Sequence, residues 1–193
     1  EPRGALLQRW IVHCRSPSPS RTLRRHCGIM LRMAARISAG VIPFRRTQGR
    51  LEVFLVHPGG PFWQNRDVGA WSIAKGEAGE GEDLLQAARR EFNEETGMSV
   101  EGDFIALAPI RQAGGKVVHA WAIECDFDAN AITSNEFSLE WPPRSGVMRQ
   151  FPEVDRGQWF GVADAGVRVL AGQRGLIDEL QRKLAAASAA ASR

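Results

Sequence analysis

The sequence predicts a single domain of the α/β or α+β class, a sandwich of helices and a β-sheet. The chain has 193 residues, of which 44% are hydrophobic, and this is enough to fill one core. Strand-like apolar runs alternate with two or three helical segments, as in layered folds of sheet and helix. No apolar run reaches the roughly 18 residues of a membrane-spanning helix.

Basic residues are concentrated at the start of the chain. Residues 1–36 hold eight arginines and one acid, a local charge of +7, whereas the remainder holds 17 basic and 21 acidic residues. This Arg- and Ser-rich leader resembles a transit peptide or translated upstream sequence, with Met30 and Met33 as alternative starts. We expect a disordered leader over 1–36, a folded domain over 37–184 and a fraying Ala-rich tail over 185–193.

The first half of the domain contains three predicted strands and a helix. ISAGVIPFRR and LEVFLVHP are β-branched and apolar, and the turn TQGR separates them. The Gly- and Pro-rich GGPFWQNRDVGA indicates a loop, and WSIA a short strand. A helical pattern runs from about Gly81 to Thr96 and ends at Gly97, a typical C-terminal glycine.

The second half is predicted to hold three further strands and two helices. FIALAPIRQ and KVVHAWAIECDF are strands joined by a hairpin turn at AGG. The polar stretch 128–152, broken by Pro142 and Pro143, is expected to be a long loop. EVDRGQWFGV is the last strand, and ADAGVRVL and QRGLIDELQRKL are helices.

Three glutamates lie on one side of the first predicted helix. Glu91, Glu94 and Glu95 stand at i, i+3 and i+4, beside an apolar stripe. Like charges at these spacings repel, and anions in the last turns oppose the helix dipole. A divalent cation would reverse both effects, and Mg²⁺ prefers carboxylate oxygens together with substrate phosphates. The alternative is a solvated surface helix with salt bridges.

The segment from Gly76 to Met98 resembles the signature of the Nudix hydrolase family. That signature is Gly, five residues, Glu, seven residues, Arg-Glu, an apolar residue, any residue, Glu-Glu, any residue, Gly and an apolar residue. This chain matches every position, with Gly76, Glu82, Arg90, Glu91, Phe92, Glu94, Glu95, Gly97 and Met98. The resemblance implies an α/β/α sandwich with a mixed sheet, whose catalytic box is a loop, a helix and a loop.

The resemblance also implies roles for the box residues. Glu91, Glu94 and Glu95 would bind Mg²⁺ or Mn²⁺, and the carbonyl of Gly76 would add a ligand. The general base would be one of these glutamates, with Glu94 and Glu91 as the catalytic candidates, or a glutamate outside the box. Glu82, Arg90 and Gly97 would brace the box. Lys75 would contact a phosphate, with a solvated lysine as the alternative.

Several residues outside the box are candidates for a second role. Glu136, Glu140 and Glu153 are candidate metal ligands, and Glu140 is preferred for its proline-braced surroundings. Three aromatic side chains could stack on a base, although core packing is the commoner role: Phe62, Trp63 and Trp71. Two histidines, His57 and His119, are expected to be structural.

The expected activity is metal-dependent hydrolysis of a phosphoanhydride bond in a nucleoside diphosphate linked to another group. Nucleoside triphosphates and dinucleoside polyphosphates are favoured, although Ala74 replaces the proline of the WSxPKGE segment seen in relatives that hydrolyse the latter. A non-catalytic nucleotide-binding module, an isomerase on the same fold and a nucleic-acid-binding protein that uses the leader are the alternatives.

Partners and compartment are predicted from composition and from the family. The mildly acidic body disfavours specific nucleic-acid binding, and no membrane partner is expected. Three cysteines without CxxC spacing predict reduced thiols in a cytoplasmic protein and no zinc site. Dimers are common in the Nudix family, so the resemblance allows a homodimer.

Overall fold

The first strand, β1 (Ile37–Thr47), lies at the centre of the sheet, and its residues 38–44 are buried. In the computed structural model, which describes residues 36–112 and 115–191, β1 pairs in parallel with β6 (Val117–Glu124). It pairs antiparallel with β2 (Arg50–Pro58) and β3 (Ala74–Glu77). The sheet is therefore mixed. The predicted leader lies outside the described residues, except for Arg36.

The remaining strands extend the sheet on both sides. β9 (Val154–Gly161) pairs with β2, while β4 (Phe104–Ala106) and β5 (Ile110–Arg111) both pair with β6. The order is β4-β6-β1-β2-β9, with β3 beside β1 and β5 beside β6. The chain order and the mixed pairing agree with the predicted fold class.

Helices cover both faces of this sheet. On one face, α1 (Leu84–Thr96) buries Ala87, Ala88 and Phe92. On the other, α2 (Val162–Arg168) and α3 (Arg174–Ala191) bury an apolar set made of Ala165, Leu176, Ile177 and Leu180. The two cores on the two faces make the predicted α/β/α sandwich. Among the described residues, no helix has both the length and the hydropathy needed to cross a membrane.

Four local expectations differ from the structure. The third strand begins at Ala74, because Trp71 and Ser72 form only isolated bridges. FIALAPIRQ is two strands, since Pro109 has no N–H to donate to β6. Stretch 128–152 contains an antiparallel hairpin, β7 (Glu136–Glu140) and β8 (Met148–Pro152), with the prolines in its turn. Helix α3 continues to Ala191, consistent with the high helix propensity of alanine.

Candidate active site

Helix α1 is fixed at both ends by the residues that the sequence places there. The carboxylate of Asp83 accepts hydrogen bonds from the backbone N–H groups of Leu85 and Gln86, both at 3.0 Å. At the other end Gly97 adopts a left-handed φ of 71° and donates to the carbonyl of Asn93 at 2.7 Å. These caps fix the register of the helix, and hence the direction in which its glutamates project.

Gly76 lies directly against the carboxylate of Glu91. A Cβ atom added at Gly76 would overlap that carboxylate, so any larger residue here would displace it. Gly76 belongs to β3, where it pairs with Ala39 of the antiparallel neighbour β1. The sheet therefore fixes one side of the site and α1 the other.

Arg90 connects the box loop to the glutamates of α1. Its guanidinium donates to both carboxylate oxygens of Glu82, at 3.0 and 3.1 Å, and to Glu91 at 2.7 Å. It also reaches Glu94 at 3.3 Å and the carbonyl of Glu77 at 3.3 Å. The hydrogen bonds from Arg90, with one from the backbone N–H of Gly79 at 2.7 Å, lower the pKa of Glu82.

Four carboxylates interact in this region: Glu91, Glu94, Glu95 and Glu153. Burial raises the pKa of Glu91, and the negative charges of Glu94 and Glu153 add to this while Arg90 opposes it. Burial also raises the pKa of Glu153, with a contribution from Glu94. Neighbouring anions that share a partly dehydrated volume are costly without a counter-charge. The arrangement therefore favours a cation.

Glu95 is the most strongly perturbed of these acids. Burial raises its pKa to about 8, against the attraction of Lys75, and the charges of Glu91 and Glu153 add to the rise. Its carboxylate accepts a hydrogen bond from the backbone N–H of Lys75 at 3.0 Å. A bound cation would reverse this electrostatic cost. Within residues 36–112 and 115–191, no three acidic, imidazole or thiol groups form a ready-made metal cage; Arg90 contacts Glu91 and Glu94 instead.

Lys75 and Lys116 lie near the same end of the sheet. Lys75 is 5% exposed, and its Cβ lies 2.5 Å from the position that a Cβ on Gly40 would take. Lys116 directly precedes β6, and its carbonyl accepts from the N–H of Gln112 at 2.8 Å. Burial lowers the pKa of Lys116 to about 8, and the positive charge of Lys75 contributes. Sequence reasoning missed Lys116, because only the parallel pairing of β1 with β6 brings it here.

Of the three glutamates considered outside the box, Glu153 is the one that the structure brings to it. Glu153 joins β8 to β9, and its carbonyl accepts from the N–H of Gly59 at 2.9 Å. Glu140 and Glu136 are on β7, and Glu140 accepts from the N–H of Gly146 in the hairpin turn at 2.7 Å. Glu153 therefore replaces Glu140 as the candidate ligand outside the box. The stretch thought to be one loop is a hairpin, which holds Glu140 at its distal end.

Of the two histidines and three aromatic candidates, His57 and Trp71 are buried, as a structural role predicts. His57 is fully buried, with Nδ1 2.8 Å from Asp155 and Nε2 2.8 Å from the carbonyl of Arg66. His119 is half-buried in β6. Trp71 is 2% exposed, and Trp63 is half-buried beside the guanidinium of Arg66. Phe62 differs, since 55% of it is exposed.

Comparison with known proteins agrees with the fold. A model of the NUDIX domain matches residues 34–180. The NUDIX domain of Shewanella oneidensis NrtR, solved with ADP ribose, is 21% identical over 78% of this chain and 89% of its own, with a TM-score of 0.54. The C. elegans Ap4A hydrolase in a binary complex is 21% identical over 79% and 99%, with a TM-score of 0.53.

A third structure extends the same likeness. A mutT/nudix family protein from Listeria innocua is 14% identical over 78% of this chain and 94% of its own, with a TM-score of 0.52. No curated protein matches the chain. At these identities the solved structures establish the fold alone, whereas the domain model matches more than half of the sequence and includes the complete box. The chain belongs to the Nudix family.

Proposed function

We propose that this Nudix pyrophosphohydrolase uses Mg²⁺ or Mn²⁺ to hydrolyse a phosphoanhydride bond in a nucleoside diphosphate linked to another group. Nucleoside triphosphates and dinucleoside polyphosphates are the favoured substrates. The observation that carries the proposal is the grouping of Glu91, Glu94, Glu95 and Glu153 beside Gly76. Without a cation such a grouping is unfavourable, and with one it forms a site for phosphates.

The donor set fits a hard divalent cation. Every acidic group in the cluster offers oxygen, the ligand that Mg²⁺ and Mn²⁺ prefer. Glu91, Glu94 and Glu95 would hold the metal with the backbone carbonyl of Gly76, and Glu153 would add a ligand from β8–β9. When bound, the metal lowers the pKa of the attacking water and neutralises charge on the phosphates.

The remaining chemistry falls to side chains of the box. Glu94 is the exposed member of the trio, at 43% against 13% for Glu91, so it is suited to accept a proton from water. Glu91 is held by Arg90, and Glu95 by the N–H of Lys75. Arg90 also contacts Glu94, at 3.3 Å, but Glu94 remains the most exposed of the three, and we propose it as the general base. Arg90 and Glu82 would brace the loop before the helix, as Gly97 would after it.

Positive charge near the cluster would serve the phosphates. Lys75 was expected to contact a phosphate. Burial lowers the pKa of Lys116, and repulsion by the nearby Lys75 lowers it further. Both would attract a polyphosphate as point charges. Lys116 is also attracted by Glu91, so the two lysines and the acidic cluster would bind opposite parts of one metal-phosphate unit.

Two structural neighbours support the class of substrate. One was solved with ADP ribose, and the other is named as an Ap4A hydrolase. Both compounds are nucleoside diphosphates linked to another group. We therefore propose this class of substrate, and within it we rank nucleoside triphosphates and dinucleoside polyphosphates first.

The test compares three glutamates of the box region. Glu94→Gln and Glu95→Gln remove a charge from the cluster, whereas Glu80→Gln removes one from an exposed position in the same loop. Turnover would be measured against ATP, diadenosine tetraphosphate, ADP-ribose and a nucleotide sugar, with Mg²⁺, with Mn²⁺ and with EDTA. We expect kcat to fall by about 10²-fold or more in the first two variants and to be unchanged in the third. Wild-type kcat in both cluster variants would contradict the proposal.

A further inference from the structure

The hairpin β7–β8 presents one apolar face to the loop that follows β2. Phe137 and Leu139 are half-buried while their neighbours in β7 are exposed, as the period of two in a strand requires. Trp141 follows at the next position of this period, and its N–H donates to the carbonyl of Val147 at 2.9 Å. The loop meets this face at Gly60, where an added Cβ would lie 3.1 Å from the ring of Phe137.

Phe62 projects from that loop onto Trp141. The two ring centroids are 5.2 Å apart with an interplanar angle of 82°, an edge-to-face pair. Phe62 is nevertheless 55% exposed, and Val147 and Met148 beside the hairpin turn are 49% and 61% exposed. An edge-to-face pair leaves a ring face available to a planar ligand, which the buried Trp71 does not offer.

The pair is connected to the acidic cluster by a short path of backbone. Glu153 lies between the two elements, because its carbonyl accepts from Gly59 of the loop and it directly follows Pro152 of β8. Phe62 is three residues from Gly59, so the backbone between them spans at most about 11 Å, and Gly59 is bonded to Glu153. A nucleoside phosphate extends over a comparable distance.

The loop that carries Phe62 is also attached to His57 of β2. Nε2 of His57 lies 2.8 Å from the carbonyl of Arg66, and Nδ1 lies 2.8 Å from Asp155 on β9. The loop therefore has fixed attachments on both sides of Phe62, at Gly59 and Arg66. A ring presented by such a loop loses little further conformational entropy when a ligand stacks on it.

We infer that Phe62 and Trp141 form the platform that binds the nucleobase of the substrate while its phosphates lie at the acidic cluster. This inference rests on the proposed hydrolase function, which supplies a substrate with a base at that distance. A planar base stacks on an aromatic ring whatever its identity, so the platform would select nucleotides over base-free phosphates without strong preference among the bases.

The test uses two ligands that differ in the base alone, AMP and ribose 5-phosphate, bound to the full chain with Mg²⁺. Affinities would be measured by titration calorimetry, and contacts of the adenine protons by saturation-transfer NMR. Phe62→Ala removes the exposed ring, Phe62→Tyr and Trp141→Phe keep a ring, and Val68→Ala is the control. Val68 is on the same loop and is 69% exposed.

We expect Phe62→Ala to raise the Kd for AMP about tenfold or more, the size of one lost base stack. The Kd for ribose 5-phosphate, and both ligands with Val68→Ala, would be unchanged, and the ring-keeping variants would remain within a few-fold of wild type. Equal loss for both ligands, or equal wild-type affinity for both, would overturn the inference. So would a change of sedimentation from dimer to monomer in Phe62→Ala with AMP binding intact.

Failure of the hydrolase proposal would be seen separately. If the wild type binds AMP through Phe62 but cleaves no substrate with Mg²⁺ or Mn²⁺, the platform stands as a nucleotide site and the proposed function fails. If the wild type cleaves nucleotides and Phe62→Ala leaves their KM unchanged, the function stands and the platform fails.

Discussion

Arg90 donates a 2.7 Å hydrogen bond to Glu91, its neighbour in the chain, from within a group of acidic side chains. The same guanidinium grips Glu82 through two nitrogens. Only a planar fork can satisfy both partners together, because the five N–H groups of arginine point in fixed directions. Arg90 thus sets the distance between the box loop and the carboxylate that lies over Gly76.

Replacing Arg90 by lysine should separate its charge from its geometry. Lysine keeps the positive charge but cannot bond Glu82 and Glu91 at once. We expect kcat/KM to fall about 10- to 100-fold, the usual effect of losing a residue that orients a metal ligand, with a higher Mg²⁺ concentration needed for half-maximal rate. Steady-state kinetics over a Mg²⁺ series would measure both quantities.

Arg89→Lys is the matched control for this substitution. Arg89 is the preceding residue, and its partner Glu101 is 82% exposed at 3.2 Å. An exposed pair of this kind contributes little, so kinetics and thermal midpoint should match the wild type. Wild-type kcat/KM in Arg90→Lys would show that the fork is dispensable.

Gly76→Ala should displace Glu91, since the new methyl group would occupy the volume of its carboxylate. We expect a destabilisation of about 1–3 kcal/mol from overpacking, together with a fall in turnover because a candidate metal ligand moves. Gly166→Ala in α2 is the control, as nothing lies within 4 Å of its Cβ position. There alanine should stabilise the helix by up to about 1 kcal/mol. Urea unfolding curves would compare the two; a Gly76→Ala protein as stable and active as wild type would contradict the close contact.

The parts of the site that the sequence predicted are those set by short-range geometry. Helical spacing brings Glu91, Glu94 and Glu95 to one side of α1. The end of α1 at Gly97 follows from the left-handed conformation that glycine adopts readily. These features depend on residues within a few positions of one another.

The parts of the site that the sequence named only as alternatives depend on pairing between distant segments. Glu153 reaches the box only because β8 leads into β9 and its carbonyl bonds Gly59, far away in the chain. Phe62 pairs with Trp141, which follows β7 in a hairpin whose prolines suggested a loop. Register between remote strands cannot be deduced from the periodicity of either one.

Cys125 should react slowly with alkylating reagents. Burial raises the pKa of its thiol from 9.0 to about 11, and the negative charge of Asp126 adds to the rise. The reactive thiolate is then about a hundredfold rarer near pH 8 than for an unperturbed thiol, and the rate should keep increasing as the pH rises towards 11. Iodoacetamide labelling of a Cys14→Ser, Cys27→Ser protein, folded and in urea, would measure this. Equal rates in the two states would contradict the burial of the thiol.

Glu153 and Glu140 provide the sharpest comparison for the acid outside the box. Both border the β7–β8 hairpin, but Glu153 interacts with Glu91, Glu94 and Glu95, whereas Glu140 bonds the N–H of Gly146 in the turn. Glu153→Gln should reduce kcat and weaken Mn²⁺ binding, measured by paramagnetic relaxation of water, because one carboxylate leaves the cluster.

Glu140→Gln should leave both quantities unchanged, since an amide oxygen still accepts the bond from Gly146. Glu153→Gln should also be slightly more stable than wild type without metal, because removing one charge relieves repulsion among neighbouring anions. A gain in metal-free stability together with a loss of metal affinity is expected of a carboxylate that binds a cation. Loss of Mn²⁺ binding in Glu140→Gln, with Glu153→Gln unaffected, would contradict this and assign the metal-binding role to Glu140.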